Sequence, residues 1–261
     1  MSQRVMIIDL ENFLDTRIVD TVFTERGIGI ARPRDREAVE AQILRGTSGE
    51  EPSPDLILVL YYTGNQLKWL LPLLRRAEEK GLQVVNTAAN LTLFSNYPLR
   101  SQELAQHGFS VPESYHGRPS GIPASLGDMV VWKSQQSRLT ILCPRTGIHS
   151  LEEDVYVEER VPNPEKRVLT LYWVAGCLYA RWKEDPLLTS QRTRTLVSDL
   201  GSFGDEVASV RRVASTFGLT FFNVEFIGGR IIDVNTIANI FYPEHRDPLN
   251  VLAQWITEQS R

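Results

Sequence analysis

Two pairs of polar residues, each made of an amide and a carboxylate two positions apart, lie in a largely apolar stretch, FFNVEFIGGRIIDVNTIANI, near the carboxyl end of this 261-residue chain. They are Asn223, Glu225, Asp233 and Asn235. The apolar residues on each side of the Gly228-Gly229 pair predict two strands joined by a turn. Residues two apart in a strand lie on the same face, so each strand carries one carboxylate and one amide on a single face.

The length of the turn decides whether these two polar faces coincide. A two-residue loop formed by the glycine pair would set Glu225 opposite Ile232. A three-residue loop that includes Arg230, or a bulged turn, would set Glu225 opposite Asp233 and the two amides opposite each other. We predict this second arrangement because it gathers the apolar side chains on the other face. They are Phe222, Val224, Phe226, Ile232 and Val234.

Two carboxylates directly opposite on neighbouring strands have β-carbons about 5 Å apart. That arrangement is destabilising unless a cation lies between them. Mg²⁺ binds carboxylate and amide oxygens and typically keeps water and substrate phosphates as its other ligands. The pattern therefore predicts half of a magnesium-nucleotide site. The alternative is a solvated polar face, which is common in antiparallel sheets.

The elements that must position these residues follow two different patterns along the chain. Residues 1–88 alternate apolar runs such as VMIIDL and DLILVLYY with stretches of helical period, which predicts a small parallel sheet with helices. A connecting helix and linker occupy 89–122, with the helical stretch SNYPLRSQELAQHG. Further on, strand-like runs follow one another through short turns, including a tight hairpin loop at Ala175-Gly176, and predict an antiparallel unit. We divide this part into a first lobe, 123–184, and a second lobe, 185–261.

Composition excludes several classes of protein. Hydrophobic residues make up 42% of the chain and charged residues 23%, which is typical of a soluble globular protein. The formal net charge of −4 gives no reason to expect general binding to nucleic acid or to a membrane. The sequence has no apolar run of about 18 residues and no signal-peptide pattern, so we expect a cytoplasmic protein. A homodimer is compatible with this composition.

The order of features from Asp128 onward resembles the ATP-grasp family. In that family an acidic residue on one strand, and an acidic residue and an asparagine two apart on the next, hold the magnesium ions bound to ATP. Glu225 in FNVEFI and Asp233 and Asn235 in IIDVNT match these positions. The resemblance thus implies a metal-ligand set. It also implies an α/β fold in which a small parallel-sheet amino-terminal domain precedes two α+β lobes that clamp the nucleotide.

Further motifs extend the resemblance to the nucleotide. The strand DMVVWK is similar to the family strand whose lysine reaches the phosphates, which assigns that role to Lys133. The run VYVEERV is similar to the hinge strand on which adenine lies, so the resemblance implies contacts from Glu158, Glu159 and Val161. Lys183 is a further candidate for nucleotide binding.

The resemblance implies an ATP-dependent carboxylate-amine ligase. Such an enzyme phosphorylates a carboxylate and lets an amine displace phosphate from the acyl phosphate; here the substrate would be a small amino-acid-like molecule or a peptide. Charge on the transferring phosphoryl group must be stabilised by metal ions and cationic side chains. Arg181 lies two residues from Lys183 in CLYARWK, so both point to one face. Arg181 is the first catalytic candidate, followed by Arg167 and Arg194.

Two departures from the family pattern keep other functions open. The segment SQQSR stands where the family has a glycine-rich flap over the phosphates, and it contains no glycine. A lysine that the family often has at the start of the connecting helix is missing from SNYPLR, where Arg100 is a candidate substitute. One alternative is therefore a nucleotide-binding regulatory or scaffold protein without ligase activity. The other is a small-molecule kinase on the same fold.

Overall fold

A computed structural model describes residues 3–9, 17–46, 54–61, 64–134, 139–149, 151–189, 193–236 and 246–259.

The first sheet is parallel, with strand order β2-β1-β3-β4, as predicted. Its strands are β1 (Arg4–Asp9), β2 (Gly29–Ala31), β3 (Leu56–Tyr61) and β4 (Gln83–Val85). The helices between them are α1 (Arg17–Glu25), α2 (Arg36–Gly46) and α3 (Gly64–Glu79). The central strands β1 and β3 are apolar runs because helices cover both faces of a parallel sheet.

The connecting segment forms two helices, where the sequence predicted one helical stretch. They are α4 (Ala88–Ser95) and α5 (Tyr97–Gln106). Asn96 separates them with an extended backbone, and its side chain accepts a hydrogen bond from the N–H of Leu99 at 3.1 Å. This side-chain cap and Pro98 in the first turn begin a new helix at Tyr97.

The second sheet is antiparallel, with strand order β5-β8-β6-β7. Its strands are β5 (Ser114–Gly117), β6 (Met129–Lys133), β7 (Thr140–Pro144) and β8 (Val155–Glu159), and the short helix α6 (Arg145–Ile148) follows β7. A small apolar core that includes Val130, Ile148 and Val157 supports this sheet.

The third sheet is also antiparallel, with strand order β11-β10-β9-β12-β13. Its strands are β9 (Arg167–Val174), β10 (Cys177–Glu184), β11 (Arg194–Val197), β12 (Phe221–Ile227) and β13 (Arg230–Asn235). The remaining helices are α7 (Gly204–Phe217) and α8 (Arg246–Gln259). Ala175 and Gly176 form the predicted tight loop between β9 and β10, both with positive φ.

The sheets divide the chain differently from the predicted domain boundaries. Strands β9 and β10 fall within the predicted first lobe, 123–184, but β9 hydrogen-bonds to β12 and belongs to the third sheet. Strand β5 falls within the predicted linker, 89–122, but pairs with β8. Long-range strand pairing decides which sheet a strand belongs to. Local sequence patterns, from which the boundaries were predicted, contain no information about that pairing.

Two of the apolar cores join parts of the chain that are distant in sequence. Helix α8 packs Leu249, Leu252 and Ile256 into one core with Val5 of β1 and Phe221 of β12, so the first and third sheets share a core. Helix α7 covers the opposite face of the third sheet. None of the helices in the described residues has the length and apolar character needed to cross a bilayer.

Candidate functional site

Strands β12 and β13 pair in the predicted register. Glu225 lies opposite Asp233, and Asn223 lies opposite Asn235. The turn, however, is the two-residue Gly228-Gly229 loop, with φ of 54° and 74°, and the three-residue loop does not form. A bulge immediately after the Glu225–Asp233 pair restores the register. The predicted opposition of the two carboxylates is therefore confirmed, and the bulged alternative is the one that produces it.

The bulge also changes the position of Ile232. We predicted this side chain on the apolar face, but Ile231 takes that place, where it pairs with Phe226 and is buried. The extra residue of a bulge lies outside the regular ladder, which leaves its backbone groups available to other partners. The carbonyl oxygen of Ile232 accepts a hydrogen bond from Lys133 Nζ at 2.8 Å.

One face of the third sheet collects the polar side chains, and we call it the polar face. Its members, given by strand alternation and register, are Thr170, Tyr172, Arg181, Lys183, Asn223, Glu225, Asp233 and Asn235. The opposite face carries the apolar residues that pack against α7. Successive side chains of a strand point to opposite faces of the sheet, and this alternation separates the polar residues from the apolar ones.

Each carboxylate of the polar face is paired with a cation. Lys183 Nζ lies 2.6 Å from Glu225 Oε1, and Arg100 Nη1 of α5 contacts Asp233 Oδ1. Asn235 Nδ2 donates to Asp233 Oδ2 at 3.2 Å. These contacts relieve the repulsion expected between two carboxylates on neighbouring strands.

The charge environment keeps Asp233 ionised. Burial by itself would raise the pKa of Asp233, but Arg100, Lys133 and Lys183 outweigh that effect and hold the pKa below its usual value. Burial would lower the pKa of Lys183, whereas the carboxylate of Glu225 raises it, and the net direction is upward. Both groups therefore carry full charge at neutral pH.

Lys133 connects the second sheet to the third. Its side chain is 7% exposed, and Nζ lies 2.7 Å from Glu158 Oε2 in addition to its contact with the Ile232 carbonyl. The hydroxyl of Tyr156 donates to Glu158 Oε1 at 2.8 Å. Burial raises the pKa of Tyr156, and the carboxylate of Glu158 raises it further, so this tyrosine stays protonated. The result is a satisfied buried ion pair between β6 and β8.

A narrow, largely apolar cleft lies beside Lys133, between the second and third sheets. Val131, Leu142 and Leu188 line it together with Ile227 and Ile232. The sequence-predicted residues Lys133, Glu158, Glu159 and Val161 all line the same cleft, and Lys183 does not. The carboxylate of Glu159 is engaged by Arg230 and by the N–H of Glu113 at 2.9 Å.

The three predicted catalytic arginines occupy different positions. Arg181 is 3% exposed, and its guanidinium carbon lies 6.0 Å from the centre of the Tyr172 ring on the polar face. Arg194 pairs with Lys183 in the register of β10 and β11 and so belongs to the same side of the sheet, at its exposed edge. Arg167 shares the opposite face with Leu169 and lines a groove there. Strand alternation thus separates Arg167 from the polar face.

Of the residues that α5 contributes, the sequence pattern indicated Arg100 and not Tyr97. The ring of Tyr97 lies 4.8 Å from the guanidinium carbon of Arg100 and 5.7 Å from Lys133 Nζ, and it stacks on Tyr156 at 6.0 Å. The SNYPLR segment carried a signal, because a tyrosine and an arginine stand where the family pattern has a lysine. Most of the SQQSR segment lies outside the described residues.

The polar face offers a specific kind of ligand to a metal ion. Among the described residues no group of three or more His, Cys, Asp or Glu side chains has the spacing of a metal site. The donors present are instead two carboxylates and the amide oxygens of two asparagines. These hard oxygen ligands suit Mg²⁺ and do not suit a metal ion that prefers thiolate or imidazole ligands.

Comparison with known proteins finds clear similarity in structure, whereas the sequence searches find no match. No protein-family model matches this sequence, and a search of curated proteins finds none that matches. A RimK domain ATP-grasp protein from Sphaerobacter thermophilus has a TM-score of 0.71 at 17% identity, over 97% of this chain and 98% of that one. The ATP-grasp ligase PsnB, solved with a minimal precursor variant, Mg and ADP, has a TM-score of 0.69 at 14% identity, over 100% of both chains.

A third similar solved structure contains a bound peptide. It is a RiPP-associated ATP-grasp ligase from Chryseobacterium gregarium in complex with ADP and with a leader and core peptide. Its TM-score is 0.73 at 10% identity, over 100% of this chain and 98% of that one. These similarities extend over essentially the whole chain, and this protein therefore has the ATP-grasp fold.

Proposed function

We propose that this protein is an ATP-dependent ligase that activates a carboxylate as an acyl phosphate and joins it to an amine. The observation that carries the proposal is the opposition of Glu225 and Asp233 on a face that also holds Arg181 and Lys183, next to an apolar cleft. Phosphoryl transfer needs this combination of metal ligands and fixed cations, because the protein contributes mainly positioning and charge stabilisation.

The nucleotide would lie in the cleft beside Lys133. Apolar side chains such as Val131 and Leu142 suit the faces of an adenine ring, and Glu158, Glu159 and Val161 are at hand for its edge and for the ribose. The cleft encloses a volume of about 60 Å³. Small-molecule sites usually enclose roughly 300 Å³ or more, so we expect this cleft to widen when a nucleotide binds. Lys133 would then exchange the Ile232 carbonyl for a phosphate oxygen.

The residues that would hold Mg²⁺ are Glu225, Asp233 and Asn235, whose oxygens have the chemistry that this ion prefers. When bound, the ion would neutralise charge on the nucleotide phosphates. Arg181 would contribute a fixed positive charge toward the transferring group, and Lys183 would orient Glu225. Arg194 would act from the exposed edge of the sheet, on the incoming substrate. Arg167 is not part of the proposal because it lies on the opposite face.

We further propose a peptide as the carboxylate substrate. Support comes from the solved structures, since PsnB was solved with a precursor and the Chryseobacterium gregarium enzyme with a leader and core peptide. The sequence resemblance alone left a small amino-acid-like substrate equally open.

The test is turnover with a matched pair of arginine variants. Purified protein receives ATP, Mg²⁺ and a pool of acidic and amine-bearing peptides, and we measure release of ADP and formation of a new amide by mass spectrometry. Arg181→Met should lower turnover by about 100-fold or more, as expected for removal of a fixed cation at a phosphoryl-transfer centre. Arg167→Met, an exposed arginine on the other face, should change it by no more than about twofold. Equal losses in both variants would contradict the assignment.

A second candidate function is nucleotide binding without turnover. It is favoured by the ion pairs that already engage both Glu225 and Asp233, and by the absence of glycine from the SQQSR segment. The same experiment separates the two functions. Tight ATP binding without ADP release would support the second, and a phosphorylated product without an amide would indicate a kinase.

A further inference from the structure

The connecting helix α5 supplies a buried cation to the polar face. Arg100 is 3% exposed, its guanidinium packs over the Tyr97 ring at 4.8 Å, and it contacts Asp233 Oδ1. The cap at Asn96 fixes the beginning of the helix one turn before Arg100. Helix, aromatic ring and carboxylate together hold the guanidinium in one place.

The Arg100 contact occupies Asp233 as a metal ligand. Asp233 Oδ1 accepts from Arg100 and from the N–H of Val234 at 3.0 Å, and Oδ2 accepts from Asn235 Nδ2 at 3.2 Å. Both carboxylate oxygens are therefore engaged within the protein. A metal ion that binds Asp233 must displace the guanidinium from Oδ1 or compete with it there.

The balance of charge around Asp233 also opposes a lone metal ion. Lys133 is matched by Glu158, Lys183 by Glu225, and Arg100 by Asp233. These three pairs leave no excess negative charge to attract a divalent cation. The charges that act most strongly on Asp233 are all positive and belong to Arg100, Lys133 and Lys183. A divalent cation that arrives alone must compete with these cations for Asp233, whereas one that arrives with nucleotide phosphates brings its own compensating negative charge.

We infer that Arg100 determines the order of binding at this site. It withholds Asp233 from a metal ion until nucleotide phosphates are present, so that Mg²⁺ binds together with the nucleotide and not before it. Arg100 is thus a positioning residue that acts through Asp233. The role of the nucleotide rests on the proposed function, whereas the exclusion of a lone metal ion concerns the protein by itself.

The test is a titration with Mn²⁺ in the absence of nucleotide, followed by calorimetry or by electron paramagnetic resonance of the free ion. Arg100→Met keeps much of the side-chain volume and removes the charge, so it should bind Mn²⁺ about tenfold or more tightly than the wild-type protein. Arg100→Lys retains a cation beside Asp233 and should behave like the wild type. The double variant Arg100→Met with Asp233→Asn should lose the gain, because the released ligand is then absent.

The inference is overturned if folded Arg100→Met binds Mn²⁺ no better than the wild type, or if the double variant keeps the gain. A wild-type measurement covers the case in which Arg100→Met does not fold: Mn²⁺ affinity should be at least about tenfold higher with ADP present than without it. Equal wild-type affinities in the two conditions would also overturn the inference. If the wild type binds no ADP at all, the proposed function fails, while the Mn²⁺ titration of Arg100→Met still tests the exclusion of a lone ion.

Discussion

At the scale of single residues, the buried Lys133–Glu158 pair determines what a mutation at the cleft will do. A charge buried in a protein is tolerated when it is paired, and removal of one partner leaves the other uncompensated. Nζ of Lys133 lies 2.7 to 2.8 Å from both carboxylate oxygens of Glu158, and the Tyr156 hydroxyl completes the hydrogen bonding. The lysine therefore has a structural role in addition to its proposed contact with phosphate.

Replacement of Lys133 by Met should lower both nucleotide affinity and stability. Because Glu158 would remain buried without its cation, we expect unfolding to become about 3 kcal/mol easier, measured by urea denaturation. Addition of Glu158→Gln to Lys133→Met should recover part of this loss, since the buried charge is then gone as well. Lys80→Met, at an exposed lysine, is the control and should change stability by less than about 0.5 kcal/mol. A fully stable Lys133→Met protein would show that the buried pair contributes nothing.

At the scale of secondary structure elements, one bulge and strand alternation decide which side chains form the site. The bulge in β13 sets Glu225 opposite Asp233 despite a two-residue turn. It also presents the Ile232 carbonyl to Lys133. Alternation along β9 and β10 places Arg181 on the polar face and Arg167 on the other. A single-residue change in register would reverse these assignments.

Deletion of one of the two isoleucines before Asp233 should remove the bulge and keep the register. The remaining isoleucine would still pair with Phe226, and Glu225 would still pair with Asp233, so we expect a folded protein with an intact β12–β13 pair by amide exchange. Lys133 would lose its carbonyl acceptor in the free protein. Because nucleotide binding would no longer have to break that hydrogen bond, ATP affinity measured by calorimetry should rise about tenfold, the equivalent of one hydrogen bond to a charged group. Ile232→Val keeps the backbone carbonyl and should bind ATP like the wild type. Unchanged affinity in the deletion variant would exclude a role for the bulge.

At the scale of the whole molecule, one buried amide links the first sheet to the third. Asn86 follows β4, and its Nδ2 donates to the carbonyls of Phe221 and Thr236. Its Oδ1 accepts from the N–H groups of Thr220 and Phe221. These bonds fix the beginning of β12 and the end of β13 against the amino-terminal domain, where α8 also joins the two parts through a shared core. The polar face is therefore anchored from outside its own sheet.

Asn86→Ala should destabilise the protein by about 3 kcal/mol, because it leaves several buried backbone groups without partners. Asn86→Asp keeps the shape but sets a carboxylate against two carbonyls, so it should be at least as unstable as the alanine variant. Asn90→Ala removes a single bond to the Phe217 carbonyl and should cost about 1 kcal/mol. Thermal denaturation of the three variants measures the order. Equal losses for Asn86→Ala and Asn90→Ala would indicate that Asn86 has no special linking role.

The sequence by itself predicted the features that depend on near neighbours. Period-two alternation and the polar residues around the glycine pair predicted the facing carboxylates, and the change from alternating helix and strand to consecutive strands predicted a parallel sheet followed by an antiparallel unit. The ordered motifs identified the ATP-grasp fold, which the solved structures confirm. All of these follow from local rules, because the face on which a strand residue lies is set by residues within a few positions of one another.

Only the tertiary structure decided the partners of the charged groups. Arg100 and Asp233 are 133 positions apart, and Asn86 and Phe221 are 135 apart, so no local pattern relates them. The turn length, the exchange of Ile231 for Ile232 and the sheet to which β9 belongs depend on how three sheets meet. Desolvation is the physical reason. A buried charge or amide must find a partner wherever packing brings one, and packing over such distances is a property of the folded chain.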